Sequence, residues 1–457
     1  MPKLTSSASR ERLLALVAVQ LGVIIITWDI SLTSTALPAI AAGIGASPAS
    51  TIWIVNAYYL SVVASLLPLA ALGEIYGHRS IFFAGLLVFA LGALACGFAN
   101  SLVMLASSRA VLGFGAAAVA ATTPALIREL YPPERLGRGL GWYALVVGVA
   151  IAAGPTAASA ILLVADWPWL FFVNVPFAIC AFALSARTLP STERSARRFD
   201  AIAAMLCAGM LACLVLGVAS VSHQAGWPQI AASIIVAAAC AFWLYRREAD
   251  QSAPIFAFDL FRIPLFALSS ATSICAFTVQ GLVFVVLPFL FQFRLGYSQV
   301  EAGFLITPWP ATLAAMTLIA APLADRLSVA LLAGAGLLVV AIGLLALVLL
   351  PSSPSVFDIV WRLVLCGVGY GFFQSPNMKA LMTSAPRARS GSAGGVLATS
   401  RLLGQSMGAA AVAICLSLLP QNGIEAAIWV GAGVALLGSV VSFLRLMTTG
   451  NAVQRGR

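Results

Sequence analysis

Long apolar runs dominate this sequence of 457 residues. A run of about 18 or more apolar residues can cross the bilayer core, which is about 30 Å thick, as an α-helix rising about 1.5 Å per residue. Fourteen such runs have approximate centres at Val23, Ser61, Val88, Leu112, Ala150, Pro176, Met210, Val236, Val283, Thr312, Leu338, Leu365, Leu403 and Ala435. Because backbone polar groups cannot stay unpaired in lipid, each run is expected to be helical. The sequence therefore predicts an all-α membrane protein with 14 transmembrane helices.

Charged residues are scarce and unevenly placed. They make up 9% of the chain, against about 25% in soluble domains. The formal net charge of +10 would suggest a nucleic-acid partner in a soluble protein. Here most Lys and Arg residues, Arg445 among them, fall in segments on one side of the predicted membrane, with only Arg294 and Arg362 on the other. This asymmetry predicts that both termini are cytoplasmic and that the partner is the lipid bilayer, not nucleic acid.

The apolar runs are grouped as six, two and six. One charged connector at 187–200 follows the sixth run, and another at 246–264 follows the eighth. We therefore expect an N-terminal six-helix bundle over 12–187, connectors plus helices seven and eight over 188–262, and a C-terminal six-helix bundle over 263–447. An acid followed by a basic residue recurs in corresponding loops, at 74–79 and at 325–326. This weak repeat is typical of transporters built from two related bundles.

Asp29 is the one carboxylate that the sequence places deep inside an apolar run. Charge at the bilayer centre costs about 2.5–3.5 kcal/mol on insertion scales, so such residues are rare and usually functional. Asp29 lies about 14 Å from the outer end of its helix if that helix ends near Pro38, and Arg109 lies about 11 Å from the same face. These similar depths suggest an ion pair.

The carboxyl group of Asp29 could have one of two roles. Burial and a neighbouring cation have opposite effects on a carboxyl group's affinity for protons, so such a site is suited to take up and release a proton. The alternative is a structural carboxylate that accepts hydrogen bonds from Ser or Thr and never titrates.

Four local patterns stand out against the apolar background. They are Asp29 with Ala36-Leu37-Pro38; Gly73, Glu74, Gly77, His78 and Arg79; Arg109 with Gly113, Gly115 and Ala116; and Gly148 with Gly154-Pro155. On these patterns the chain resembles the major facilitator superfamily, and within it the fourteen-span drug:proton antiporter-2 family of bacterial inner-membrane exporters. It is similar there to members that share a Thr-Pro-Trp-Pro segment, here 307–310, and a Gln-Ser-Pro-Asn segment, here 374–377.

The resemblance implies a role for each pattern. The implied roles are proton coupling for Asp29 and Arg109, gating for Gly73, Glu74, Gly77, His78 and Arg79, and an antiporter motif for Gly148, Gly154 and Pro155. Glu74 stands where the family usually has Asp, and it is expected to cap a helix start or to pair with Arg128 or Arg135. Leu112 stands where a Gln is usual. Close packing of small residues also explains Gly148 and Gly154 without a coupling role.

Six polar or aromatic residues within the runs are candidates for a substrate pocket. They are Trp28, Asn56, Tyr59, Gln280, Phe284 and Arg401. Aromatic faces attract lipophilic cations, although an interfacial aromatic belt or plain packing also explains such residues. Arg401 is also long enough to snorkel towards the cytoplasmic face.

The resemblance thus implies a proton-coupled antiporter that exports amphipathic, cationic drugs or biocides across the bacterial inner membrane by alternating access. Export of a metabolite, a siderophore or an amino acid is the alternative, because one intramembrane acid suits many cargoes.

Other classes of function find little support in the sequence. A membrane-embedded enzyme needs clustered nucleophilic and acid–base groups, and the chain has two His residues and no such cluster. Neither His has partners at metal-ligand spacing, and no Walker sequence indicates direct ATP coupling. We expect no enzymatic activity, no metal and no cofactor, with the proton gradient as the energy source. The partners are then a small-molecule substrate, protons and lipid, and the protein is expected to be a monomer.

Overall fold

The computed structural model describes residues 6–131, 136–190, 199–222, 227–248, 254–324, 326–351, 353–386 and 389–455. These ranges fold into α-helices joined by short turns. The helices are α1 (Ser6–Thr35), α2 (Leu37–Ile44), α3 (Pro48–Thr51), α4 (Trp53–Tyr76), α5 (His78–Gly97), α6 (Leu102–Leu130), α7 (Leu136–Val164), α8 (Trp169–Phe172), α9 (Asn174–Thr188), α10 (Ala201–Ser222), α11 (Trp227–Glu248), α12 (Pro264–Phe289), α13 (Gln299–Ile306), α14 (Pro308–Leu323), α15 (Val329–Val348), α16 (Val356–Ser384), α17 (Ser390–Leu418) and α18 (Gly423–Arg455). A 3₁₀ turn, Phe258–Arg262, precedes α12, and a π-helical turn, Leu290–Arg294, follows it.

The described residues include 13 helical segments long and apolar enough to cross a membrane. Three of these spans are interrupted helices: α3 with α4, α8 with α9, and α13 with α14. The described apolar stretch of α10, Ala201–Gly217, lies where the seventh span was predicted, and α10 itself continues to Ser222. The chain is therefore an all-α, multi-pass membrane protein, and the 13 spans together with α10 correspond in position to the 14 predicted runs.

Short side chains set the starts of several helices. Ser298 and Ser355 each accept a hydrogen bond from the backbone N–H three residues later, at Glu301 and Asp358. The carboxylates of Glu301 and Asp358 in turn accept from the N–H groups of the two serines, which completes a capping box at the start of α13 and of α16. Each box satisfies backbone donors that a helix start leaves unpaired.

Two helical bundles form the core of the molecule. In the first, α6 packs against α4 and α5, and α1 packs against α7 and α9; in the second, α12 packs against α17 and α18, and α15 against α16 and α18. Glycines allow the closest crossings: a Cβ atom on Gly92 would lie 2.6 Å from Cα of Leu112, and one on Gly336 would lie 2.5 Å from the carbonyl oxygen of Gly369. Small residues at such crossings are typical of helix packing in membranes.

The additional helices α10 and α11 pack against each other, and α10 also contacts α4 and α17. Cys207 and Met210 of α10 are buried in a cluster with Val63 and Leu67 of α4, and Leu402 of α17 packs against the same cluster. Because α4 and α17 belong to different bundles, α10 covers one edge of the contact between them.

The molecule has an apolar exterior and buries a small number of polar and charged side chains in a mostly apolar interior. Large apolar side chains such as Val103, Val164 and Phe357 are at least three-quarters exposed, as expected for a surface that faces lipid. Arg445 is fully buried, and its guanidinium donates to Asn377 Oδ1 (2.7 Å) and Ser269 Oγ (3.1 Å). Arg445, assigned from the sequence to a cytoplasmic segment, is therefore enclosed by α12, α16 and α18. The helix α18 continues past it, so that this residue near the end of an apolar run still lies within the bundle.

Candidate functional site

A cavity of about 340 Å³ lies between the two bundles. Side chains from α1, α4, α6 and α7 line it on one side, and side chains from α12, α16 and α17 line it on the other. Its aromatic and polar lining comprises Thr27, Ser31, Ser34, Tyr58, Tyr59, Tyr143, Ser273, Phe277, Gln280, Phe284, Phe373, Gln374, Asn377, Arg401 and Gln405. A mostly apolar pocket with a few directed polar groups is typical of small-molecule sites.

Four of the six predicted pocket residues line this cavity, namely Tyr59, Gln280, Phe284 and Arg401. Trp28 and Asn56 do not. The Trp28 ring instead packs edge-to-face against Phe177 of α9, with centroids 6.0 Å apart. Asn56 is also absent from the lining, and it is buried, with 2% of its surface exposed. The prediction of these two as pocket residues is wrong because apolarity does not show how a buried helix is rotated about its axis.

Several lining residues were not selected from the sequence. Gln374 and Asn377 belong to the Gln-Ser-Pro-Asn segment at 374–377, so the resemblance did point to that stretch. Tyr143, Phe277 and Phe373 carry no comparable signal. Each is one of many aromatic residues in apolar runs, and only its helix orientation brings it to the cavity.

Arg401 lies near the middle of α17 and faces the cavity. Its guanidinium carbon lies 5.9 Å from the centroid of the Phe277 ring. Among the described residues it forms no salt bridge. Snorkelling to the membrane face is therefore not observed; the charge stays in the interior of the molecule.

Buried amides form the polar part of the wall on the second bundle. Gln405 Nε2 donates to Gln280 Oε1 (2.9 Å). Asn377 Nδ2 donates to Ser273 Oγ (2.7 Å), while its Oδ1 accepts from Arg445. These bonds hold the amide groups in fixed orientations at the cavity wall.

Asp29 and Arg109 form a buried ion pair inside the first bundle. Asn174 Nδ2 of α9 donates to Asp29 Oδ1 (3.1 Å), and Arg109 Nε donates to the Ile54 carbonyl oxygen (3.3 Å). Neither residue has any exposed surface. The ion pair predicted from depth is therefore confirmed, and Asn174 is a partner that the sequence did not indicate.

Tyr58 separates this ion pair from the cavity. The guanidinium of Arg109 lies 4.5 Å from the centroid of the Tyr58 ring, and Tyr58 itself lines the cavity. Asp29 is two residues from Thr27 and from Ser31, which line the cavity, and residues two apart point to nearly opposite sides of a helix. In this conformation Asp29 thus has no contact with the cavity.

The ion pair is incompletely satisfied by the described protein atoms. Arg109 Nη2 and Asn174 Oδ1 are buried and have no hydrogen-bond partner among the described residues. Such groups carry a free-energy penalty and are uncommon in folded proteins. Their presence next to a buried ion pair indicates a site that is not selected for stability alone.

The predicted gating residues lie at the turn between α4 and α5. Gly77 has a positive φ of 94°, and His78 is the first residue of α5. Arg79 Nη2 donates to the Ala186 carbonyl oxygen near the end of α9 (2.9 Å). Gly73 is packed so closely that a Cβ atom would lie 2.7 Å from His78 Nδ1. The turn is thereby fastened to another helix of the same bundle.

Glu74 does not act as its sequence position suggested. It lies in the last turn of α4, not at a helix start, and its side chain is exposed. No salt bridge joins it to Arg128 or to any other described residue. The pairing with Arg128 is therefore wrong for this conformation, and Arg135 lies outside the described residues.

The fifth predicted span, α7, contacts α1 of the first bundle and α13 and α14 of the second. Gly154 fits directly against Ser31 of α1, so that any Cβ atom there would overlap the serine side chain. Two residues after Gly154, the hydroxyl groups of Thr156 and Thr307 are 2.8 Å apart and share a hydrogen bond between the bundles. A Cβ atom on Gly303 would lie 2.7 Å from the Pro155 carbonyl oxygen. Thr307 opens the segment 307–310 noted in the sequence, but its contact with α7, and the contact residue Gly303, were not predicted.

Gly148 has more room than Gly154. A Cβ atom there would lie 3.8 Å from Cβ of Ala314, an ordinary van der Waals distance. The two glycines of the predicted antiporter motif are therefore under different steric constraints. For metals, no three His, Cys, Asp or Glu side chains come together in the part of the chain that the structure describes.

Two helical bundles that enclose a cavity within an apolar exterior define a membrane transporter. A family model described as Major Facilitator Superfamily matches residues 19–409. The chain belongs to that superfamily. Its relatives are transporters, so the expectation that it is not an enzyme is confirmed.

Individual relatives narrow the comparison. The chain is 43% identical over 438 residues to a protein named Uncharacterized transporter YebQ of Escherichia coli (strain K12), covering 95% of this chain and 96% of that one. It is 31% identical over 411 residues to the Multidrug resistance protein Stp of Mycobacterium tuberculosis (strain CDC 1551 / Oshkosh), covering 88% and 75%. A crystal structure of the peptide transporter POT in complex with sulfate superposes with a TM-score of 0.74, 14% identity and coverage of 96% and 95%. That structure is similar in fold alone.

Proposed function

We propose that this protein is a proton-driven exporter of amphipathic compounds in the bacterial inner membrane, with both termini in the cytoplasm. The observation that carries the proposal is the cavity between the bundles, with a buried carboxylate–guanidinium pair directly behind its wall. The similarity to a multidrug resistance protein supports export as the direction of transport and a small amphipathic molecule as the cargo.

Alternating access requires the two bundles to separate at one end and meet at the other. The α7 contacts with α13 and α14, with the Thr156–Thr307 hydrogen bond at their centre, supply a small contact that can open without unfolding either bundle. Rocking of one bundle against the other about a fixed site is the common mechanism of transporters built in this way.

The proton step is assigned to Asp29. Its carboxylate is neutralised by Arg109 in this conformation, and movement of Tyr58 would connect the pair to the cavity. Protonation of Asp29 releases Arg109 from its partner, and the change in charge alters the balance between the two arrangements of the bundle. A ligand or proton drives such a change only through different affinities for the two states.

Everted membrane vesicles test the assignment. Ethidium, a cation, and 4-(1-pyrenyl)butyrate, an anion, are added separately under a proton gradient, and proton release is followed with a pH-sensitive dye. We expect at least one compound to cause proton release, and Asp29→Asn to abolish it. Asp166→Asn, the same change at an exposed loop carboxylate, should retain it.

A double variant is the control for misfolding of the single variant. Removing one partner of a buried ion pair costs about 3–5 kcal/mol, whereas removing both is far less disruptive. The double variant Asp29→Asn with Arg109→Gln should therefore melt closer to the natural protein than the single variant, yet still release no protons. Substrate-driven proton release by the folded double variant would overturn the proposal.

A further inference from the structure

We infer that the cavity selects cargo with an acidic group, such as a carboxylate or an ionised phenol, and that Arg401 is the residue that binds this group. The inference rests on the proposed function and specifies its substrate class. It differs from the cationic cargo expected from the sequence, and the reason is the distribution of charge around the cavity.

The lining of the cavity carries a positive charge. Among the described residues that line the cavity, Arg401 is the one charged side chain. It forms no salt bridge with any described residue, and its side chain is partly exposed to the cavity. A guanidinium is always protonated and presents its N–H donors in a planar fork that matches a carboxylate.

Asp29, the acid behind the cavity wall, already has partners within the first bundle. Asp29 is bound by Arg109 and Asn174, and the ring of Tyr58 lies over the guanidinium of Arg109 on the cavity side. The negative charge of Asp29 is therefore already compensated within its own bundle. Asp29 therefore provides no counter-charge for Arg401 at the cavity wall.

The aromatic rings of the lining do not favour a cationic cargo. That expectation relied on aromatic faces, which attract cations by their electron-rich surfaces. Two of the rings in the lining already have a cation nearby: Arg109 lies 4.5 Å from the Tyr58 centroid, and Arg401 lies 5.9 Å from the Phe277 centroid. A cationic ligand would have to share these rings with the guanidinium groups that repel it.

The cavity wall has more hydrogen-bond donors than its own acceptors use. Because Gln280 Oε1 accepts from Gln405, the Gln280 NH₂ group remains as a donor, and it has no hydrogen-bond partner among the described residues. Tyr59 and Tyr143 also line the cavity, and their hydroxyl groups have no hydrogen-bond partner in the described part of the chain. Together with Arg401 these groups suit an oxyanion, while Phe277, Phe284 and Phe373 provide an apolar surface for an aromatic body.

Equilibrium binding to the purified full-length protein tests the inference with three probes of one skeleton. They are 4-(1-pyrenyl)butyrate, its neutral amide, and the corresponding pyrenylbutyl-trimethylammonium cation, each titrated by fluorescence anisotropy without a gradient. The natural protein should bind the anion most tightly. Arg401→Gln should weaken anion binding about tenfold or more, the scale of a lost charge-assisted hydrogen bond, and should leave the amide unchanged.

Two further variants sharpen the result. Arg401→Glu should reverse the preference, so that the cation binds more tightly than the anion. Arg246→Gln removes an exposed guanidinium that lies outside the cavity and should behave as the natural protein. Unchanged binding of the neutral amide shows that a variant is folded.

Three results of the binding assay would overturn the inference: a natural protein that prefers the cation, an Arg401→Gln variant with unchanged anion affinity, or no binding of any probe. The outcome is separable from that of the proposed function. Binding needs no proton gradient, so loss of proton coupling would leave these affinities intact. Proton release caused by ethidium but not by the anion in the vesicle assay would support a transporter and contradict the preference for anions.

Discussion

At the scale of single residues, the most informative arrangement is the layering of Asp29, Arg109 and Tyr58. The carboxylate and the guanidinium neutralise each other, and the Tyr58 ring covers the guanidinium on the side of the cavity. Tyr58 is itself held by a hydrogen bond from its hydroxyl group to the Ile26 carbonyl oxygen (3.4 Å). A single aromatic side chain therefore lies between the ion pair and the cavity in this conformation.

Truncation of Tyr58 tests this layering. Tyr58→Ala should make Asp29 accessible from the cavity, so that dicyclohexylcarbodiimide labels Asp29 several times faster than in the natural protein, as measured by mass spectrometry. Tyr59→Ala is the matched control, because Tyr59 also lines the cavity but its ring carries no contact with Arg109 among the described interactions. Equal labelling rates in the two variants would show that Tyr58 is not the barrier.

The residue scale also shows what the sequence can predict. Depth along a helix follows from the rise per residue, which is why the pairing of Asp29 with Arg109 was predicted correctly. Rotation about the helix axis does not follow from the sequence, because a transmembrane helix is apolar towards lipid and towards its neighbours alike. Trp28 and Asn56 were therefore assigned to the cavity, whereas they lie elsewhere, and Tyr143 and Phe373 were missed.

At the scale of elements, α7 joins the two halves of the molecule. Its glycines and Thr156 contact α1 on one side and α13 and α14 on the other. The small residues of α7 were recognised in the sequence, but their partners were not, because contacts between distant segments leave no trace in one sequence. Ser31, Gly303 and Thr307 became visible as partners only in the structure.

The two glycines of α7 should respond differently to the same change. In Gly154→Ala the new Cβ atom meets Ser31, so α1 or α7 must shift, and overpacking of this kind costs about 1–3 kcal/mol. Gly148→Ala places its Cβ atom at 3.8 Å from Ala314 and should be close to neutral. Thermal unfolding in detergent and vesicle transport measure both effects. Equal losses in the two variants would contradict the steric argument.

At the scale of the whole molecule, the architecture followed from the apolar runs, but two features did not. The helix α10 packs on α4 and α17, so one of the two additional helices contacts both bundles. Arg445 is buried in the second bundle with Asn377 and Ser269, whereas its position near the end of an apolar run does not indicate burial. Both depend on how far each helix extends and which neighbour it meets.

The central claim is that the two bundles move relative to each other about the cavity, and a reversible cross-link tests it most directly. The hydroxyl oxygens of Thr156 and Thr307 are 2.8 Å apart, so Thr156→Cys with Thr307→Cys should form a disulfide in a background that lacks the natural cysteines. Oxidation should stop 4-(1-pyrenyl)butyrate transport into everted vesicles, and a reductant should restore it, while each single variant remains active throughout. Transport at an unchanged rate by the cross-linked protein would contradict the account.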